Sequence, residues 1–475
     1  MRMMAYSTII EGQRLLDSPP RAAERAGVRV PSRDSGDLYL SSQVQSRHVL
    51  AVGSTGSGKT NGLHHIARGV VHALGEADGC IFFDAKGDYE QAFFTPGDVV
   101  IGKVNGEGAQ AWNLFMDLMA DPEAIPDGEL MRQVATTLFD KAIRSSQNPA
   151  FPCGARDLFV GLTLIMIRQQ QSAGTASWQT LNNAALKAFI LREARDPDHI
   201  AELVQGYPDL QWLQMYVLAR GSATTQSYLS PLLSVVNEMF TGCFAQEGSF
   251  SMRSHVAHGG GRKVFIAYDA EYGCTLDAMY TVMLDLALRQ ALGRTARGGG
   301  DVFFILDELP VIPPLTYLDQ ALNFGRSLGI KIIAGIQNVD QLAERYGEHG
   351  AASILSGFGT CFCFHLFDEG SRTYVKARHG KNLRRCAVPT ASGREQLNQL
   401  QVMDVIEDWD ITGLDNGWCI VSLPSGDPFR FHPDLYAPRT AVRARPAAGR
   451  YRITLVDGAP TADNEAEGGI GHGAD

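Results

Sequence analysis

The run Gly53-Ser54-Thr55-Gly56-Ser57-Gly58-Lys59-Thr60 has the residue types and spacing of a phosphate cradle. Gly53, Gly56 and Gly58 let the backbone turn tightly, so that successive N–H groups point at the β- and γ-phosphates of a nucleotide. Lys59 adds a point charge at those phosphates, and the Thr60 hydroxyl can ligate Mg2+. Far downstream, the apolar run Val302-Phe-Phe-Ile-Leu306 ends in Asp307-Glu308. Asp307 would hold Mg2+ through water, and Glu308 would polarise the water that attacks the terminal phosphate. Loop and carboxylate pair together point to a P-loop enzyme that binds ATP with Mg2+ and hydrolyses it.

Four further positions bear on that chemistry. Gln337 ends the next strand-like run, Ile330 to Ile336, where its amide can sense the γ-phosphate or orient water; capping the strand is the simpler role. Arg326 closes the helical stretch Leu315 to Leu328 and can reach a phosphate on a neighbouring subunit, or lie solvated on the surface. Arg47 precedes the first strand and can touch nucleotide or an adjoining subunit. Asp84-Ala-Lys-Gly-Asp88 follows another strand; its acid either positions the water network around Mg2+ or forms a polar turn.

These groups need a sheet to hold them. His48-Val-Leu-Ala-Val52 is apolar, too short for a helix, and followed at once by glycine, so it reads as a buried strand. Asn61 to Leu74 has helical spacing and stops at Gly75. Strand, glycine loop and helix thus follow in the order a phosphate loop requires. Further strand-like runs are Cys80 to Asp84, Val99 to Ile101, Val264 to Tyr268 and Cys361 to Leu366. Short apolar strands separated by helices predict an α/β fold with a mainly parallel sheet covered on both faces. Between about 115 and 250 the strand signals vanish. Helical spacing dominates there, over Glu129 to Ala142, Ala155 to Gln170, Trp178 to Ala194 and Thr225 to Phe240. The expected organisation is an N-terminal polar segment (1–45), a nucleotide-binding domain (46–114 and 251–435), an inserted all-α domain (115–250) and a flexible tail (436–475).

Composition narrows the class. The formal net charge of −10 argues against coating of nucleic acid by the whole surface, though not against a local basic channel. The eight cysteines form no CxxC pair, which disfavours zinc or redox chemistry. Cys361 and Cys363 share one face of a strand and are expected to be buried thiols. The longest apolar candidate for a membrane span, Leu158 to Ile167, is too short and runs into Arg168-Gln-Gln-Gln171. The N-terminus soon meets Glu11, Arg14 and Asp17 and does not read as a signal peptide. A soluble chain in a reducing cytoplasm is the expectation.

Taken in order, these elements resemble the type IV secretion coupling proteins, the TraD/TrwB-type conjugative DNA-transfer ATPases of the FtsK–HerA branch. The likeness is carried by Arg47-His-Val-Leu with the glycine loop, by Asp84-Ala-Lys-Gly and by Trp112-Asn-Leu114. It continues through Leu306-Asp-Glu-Leu-Pro310, Gly325-Arg326, Gly335-Ile-Gln337, Gln341-Leu-Ala-Glu-Arg-Tyr-Gly347 and Ala352-Ser-Ile-Leu-Ser-Gly-Phe358. The resemblance implies a RecA-like core and a homo-hexameric ring with nucleotide at subunit interfaces and DNA in the central channel. It assigns Lys59, Asp307, Glu308, Gln337, Arg326 and Arg47 the family's Walker A, Walker B, glutamine-sensor and arginine roles. It also implies a relaxase or relaxosome and secretion-channel proteins as partners, with the helical insert receiving substrate. Members usually carry an N-terminal anchor, which this sequence does not show, so attachment at the inner face of the membrane would come through a partner. Lys376, Arg378, Lys381, Arg384 and Arg385 are candidate DNA-phosphate contacts or a solvated face. Two other functions stay open: a soluble recruitment adaptor switched by nucleotide, and a FtsK–HerA-type DNA translocase in genome maintenance or defence.

Overall fold

The computed structural model describes residues 7–20, 25–195, 197–217, 223–268, 273–295, 299–389 and 396–437; the expected tail beyond these lies outside the described residues. The apolar runs form a nine-stranded sheet. Across it the strands follow the order Phe429–Phe431, Cys419–Ser422, Thr360–Cys363, Val49–Val52, Ile330–Ile336, Val302–Leu306, Gly79–Asp84, Lys263–Ala267 and Val99–Ile101. From Thr360–Cys363 to Val99–Ile101 every pairing is parallel; the last two strands at the other edge are antiparallel. The central strands are buried on both faces, which is why they read as unbroken apolar runs. Each fully buried Val, Leu or Ile contributes roughly 1.5–3 kcal/mol relative to exposure.

Helix Lys59–Ala73 packs Leu63, Ile66, Ala67 and Val70 onto one face of the sheet, in a core shared with Phe82, Phe265 and Phe303. The strand pair Val28–Val30 and Leu38–Leu40 joins this core, with Val28 against Gly69. Thus part of the mainly polar N-terminal segment, including the strand signal at Leu38-Tyr-Leu40, supports the phosphate-loop helix. The opposite face is covered by Gly273–Leu292 and by a helical stretch between Val99–Ile101 and Lys263–Ala267. That stretch shares its core with the sheet, and residues up to Tyr436 form one compact unit.

The neck of the helical stretch is a bonded knot. Asn113 N–H donates to the Phe250 carbonyl at 2.9 Å, so the outgoing and returning chains lie side by side. Asn183 accepts from Leu114 N–H and donates to the Trp112 carbonyl, both at 2.9 Å. Asp117 is wholly buried and accepts from Trp112 Nε1 at 2.6 Å, from the Ser251 hydroxyl and from Arg253 N–H at 2.8 Å. Burial raises its carboxyl, opposed by the Ser251 and Trp112 bonds. Trp112-Asn-Leu114 is therefore structural. Among the described residues, the one helix long and apolar enough to cross a membrane is Ala150–Ser172, and 67% of its most apolar stretch is buried inside the protein.

Candidate nucleotide-binding and hydrolysis site

The phosphate loop leaves the sheet at Val52 and is pinned at its start from both sides. Gly53 N–H donates to the Ile336 carbonyl at 3.2 Å, and Ser54 N–H to the His365 carbonyl at 2.9 Å. Gly56 and Gly58 take φ of 77° and 105°, a backbone that other residues rarely adopt. Helix Lys59–Ala73 starts directly after Gly58, and no side chain caps it. The first-turn N–H groups and the positive end of the helix dipole are left for an anion. Ser57 Oγ is buried without a hydrogen-bond partner among the described residues.

The carboxyl ends of three neighbouring strands deliver the other groups. Lys59 Nζ lies 3.4 Å from Glu308 Oε2, with both side chains largely buried. Gln337 Nε2 donates to the same Oε2 at 3.2 Å, while its Oε1 accepts from Thr55 Oγ1 at 3.2 Å. Thr60 Oγ1 donates to Asp307 Oδ2 at 3.3 Å. Lys59, Thr60, Asp307, Glu308 and Gln337 are thus brought to one place by a strand order that puts Ile330–Ile336 between the phosphate loop and Asp307. Asp307 Oδ1 is buried and lacks a partner. Burial raises the Asp307 carboxyl above its ordinary range, opposed first by Lys59 and then by Lys86. An uncapped helix terminus fits a nucleotide phosphate, and a hydroxyl beside a buried, half-satisfied carboxylate fits Mg2+.

Asp84 ends the strand next to Asp307. It accepts from Gly87 N–H and Glu90 N–H, both at 2.8 Å. It therefore builds the turn into helix Asp88–Phe93, the simpler of its two roles. That helix brings in a residue the motif reading missed. Tyr89 is 2% exposed, and its ring stacks on His64 of the phosphate-loop helix at 4.5 Å between centroids. Burial first, and then the charge of Asp307, hold its phenol well above the ordinary value, so it stays a neutral donor. Also unforeseen is a loop over the cradle: Gly417 N–H donates to the Ser57 carbonyl at 3.0 Å, and a Cβ on Gly58 would sit 2.9 Å from Gly417 Cα. A lone buried tyrosine and a lone glycine carry no spacing signal.

A family model described as the type IV secretion-system coupling protein DNA-binding domain matches residues 33–409. The chain belongs to this family. It is 22% identical over 442 residues to the coupling protein TraD of Escherichia coli (strain K12), covering 90% of this chain and 58% of that protein. The chain therefore spans little more than half the length of that relative. Among solved structures it is similar to the bacterial conjugative coupling protein TrwBdeltaN70 in its unbound monoclinic form, with a TM-score of 0.68 at 16% identity over 91% of this chain and 95% of that one. It is also similar to plasmid coupling protein TrwB in complex with ADP and Mg2+, with a TM-score of 0.66 at 18% identity over 91% and 96% of the two chains.

In this coupling-protein fold the two arginines stand apart from the cradle. Arg47 and Arg326 are both exposed and precede the amino ends of adjacent strands. Arg326 sits on a tight turn, Gly325–Leu328, because the expected helix is shorter, spanning Leu318–Phe324. The seven-residue strand Ile330–Ile336 separates it from Gln337, about 20 Å at the rise of a strand. Arg47 likewise lies at the wrong end of Val49–Val52 to touch a nucleotide held by its own chain, which corrects that expectation. The basic cluster is largely consumed internally. Lys376 pairs with Asp408 at 2.7 Å, Arg378 bonds Tyr374 and the Gly359 carbonyl, and Arg384 bonds Asn382 and the Asp404 carbonyl. Lys381 and Arg385 are the exposed members left for a phosphate.

Proposed function

We propose that this chain is the ATP-hydrolysing subunit of a homo-hexameric ring motor that moves DNA, or a relaxase–DNA substrate, in conjugation-like type IV secretion. One observation carries the reading: Lys59, Glu308, Gln337 and Thr55 form one contact network beside the Thr60–Asp307 pair, on a coupling-protein fold. The uncapped first turn and Lys59 bind the phosphates. Thr60 and Asp307 would hold Mg2+, which would supply neutralising charge for the phosphates. An arriving γ-phosphate draws Lys59 away from Glu308 and frees that carboxylate to orient water and accept its proton. Gln337, bonded to both Glu308 and Thr55, ties the base to the loop. TrwB solved with ADP and Mg2+, and with a non-hydrolysable ATP analogue, supports the choice of ligands. Arg326 completes the site of the adjoining subunit. Placement in the cytoplasm, at the inner face of the membrane through a partner, accompanies this role, as do relaxosome and secretion-channel partners.

The test is DNA-stimulated ATP turnover by wild type, Lys59→Ala and Glu308→Gln. Lys59→Ala should lose nucleotide binding. Glu308→Gln should keep binding while turnover falls on the order of 10²–10⁴-fold. No turnover by the wild type with any DNA, under conditions that support oligomers, would sink the motor. Undiminished DNA transfer in cells carrying Glu308→Gln would point instead to the nucleotide-switched adaptor.

A further inference from the structure

Two buried polar atoms beside the phosphate loop lack partners among the described residues: the Tyr89 hydroxyl and Asp307 Oδ1. Buried polar groups are nearly always satisfied, so an orphan at a site asks for an explanation. The two belong together. Asp307 is the acid whose charge weighs most on the Tyr89 phenol, ahead of Asp84 and Asp88. Tyr89 lies on the helix that follows strand Gly79–Asp84, and Asp307 follows the strand paired with it, Val302–Leu306. Two orphans so placed fit a hydrogen bond that closes in one state of the site and opens in another.

The ring carrying this hydroxyl is tightly held. Tyr89 stacks on His64 with 8° between the ring planes and packs obliquely on Phe82 and Phe93. His64 also stacks on Tyr436, at 5.0 Å, and its Nδ1 is 2.8 Å from the Thr60 carbonyl. The stack therefore ties Tyr89 to the residue whose hydroxyl contacts the other oxygen of Asp307, Oδ2. A rigid donor on one carboxylate oxygen fixes the direction of the other.

We propose that Tyr89 is a positioning residue for Asp307: its hydroxyl donates to Oδ1 when nucleotide and Mg2+ are bound, leaving Oδ2, beside Thr60, to face the metal's water shell. The inference rests on the magnesium–nucleotide reading of the site. It gives the Asp84 turn a purpose, since Asp84 starts the helix that delivers Tyr89. It also makes the aromatic packing part of the metal site.

Tyr89→Phe removes the hydroxyl and keeps the stack. The full chain is titrated with Mg2+ while a fluorescent ADP analogue reports binding. The variant should melt within a few degrees of wild type and bind the analogue equally in EDTA. Its half-saturating Mg2+ should rise roughly tenfold, as loss of one hydrogen bond to a charged group predicts. A double-mutant cycle with Asp307→Asn, read as analogue affinity at one sub-saturating Mg2+ concentration, separates positioning from general packing. Tyr89→Phe should change nothing further in that background. An unchanged Mg2+ requirement in Tyr89→Phe overturns the proposal, and so does an effect of undiminished size on top of Asp307→Asn. A wild type whose analogue binding ignores Mg2+ would overturn the metal reading itself, and the tyrosine's role with it.

Discussion

Lys59 and Gln337 approach the same oxygen of Glu308 at 3.4 and 3.2 Å, distances at the loose end for hydrogen bonds. Loose contacts that can be exchanged for a phosphate suit a site that must open on every cycle. The backbone beneath is less forgiving. A Cβ on Gly335 would lie 2.1 Å from the Asp307 carbonyl oxygen and 3.0 Å from its carbonyl carbon. Those are main-chain atoms at the end of a central strand, Val302–Leu306, and cannot swing aside. Gly335→Ala should therefore push the strand end that leads into Asp307 away, destabilising the fold by about 1–3 kcal/mol and lowering ATP turnover by displacing the acid proposed to hold Mg2+. Gly36 has nothing within 4 Å and no left-handed backbone, so Gly36→Ala is the matched control. Urea melts and turnover on both variants check this: equal stability and activity in Gly335→Ala would show that the strands give way there.

At the scale of elements, the strand feeding the cradle, Val49–Val52, is preceded by His48, whose φ of 58° is the one positive value outside glycine among the described residues. Its ring is buried, and Nδ1 accepts from Ile332 N–H at 3.0 Å, locking Val49–Val52 to Ile330–Ile336. Burial pushes its pKa down from 6.5 to about 4. Between those values the unfolded chain binds a proton that the folded chain refuses, so stability present at neutral pH is lost as pH falls from about 6.5 towards 4. Asparagine tolerates left-handed backbone and keeps an acceptor, but does not titrate. The stability deficit of His48→Asn relative to wild type at pH 7 should therefore shrink by about 2 kcal/mol at pH 5. Denaturant melts at the two pH values measure it; a constant gap would mean that His48 charges normally in the fold. Strands of this kind were legible because burial on both faces writes an apolar run. Cys419–Ser422 and Phe429–Phe431 were not, being set among loops that carry Gly417, Pro424, Gly426 and Pro428. The ribbon of Ser7–Glu11, Lys381–Pro389 and Gln396–Asp404 also escaped notice, because its strands carry Arg384, Arg385, Gln399 and Gln401 rather than an apolar run. The motif residues were legible at the carboxyl edge of the sheet. Tyr89 and Gly417 reach the site only through tertiary packing, which no spacing encodes.

At the scale of the whole molecule, the separation of Arg326 from its own cradle becomes an argument about assembly. Among the described residues, no arginine contacts Lys59, Thr60, Asp307, Glu308 or Gln337. Transition-state charge on a phosphoryl group is commonly met by an arginine supplied in trans. Arg326, exposed at the opposite edge of the sheet, is free to project from one subunit of the proposed ring towards the next. If it does so, Lys59→Ala subunits still donate Arg326, and Arg326→Ala subunits still hold a working cradle. Each variant alone should turn over ATP at least about a hundredfold more slowly than wild type. An equal mixture should regain activity, because roughly one interface in four then pairs an intact cradle with an intact arginine in a head-to-tail ring. Native mass spectrometry verifies that the rings are mixed. Mixed rings as inactive as their parents would remove Arg326 from the neighbouring site, and wild-type turnover by Arg326→Ala alone would leave it a solvated surface residue. Recovery would mean that hydrolysis is a property of the interface, so that a chain can fold, bind nucleotide and still wait for its neighbour before it spends it.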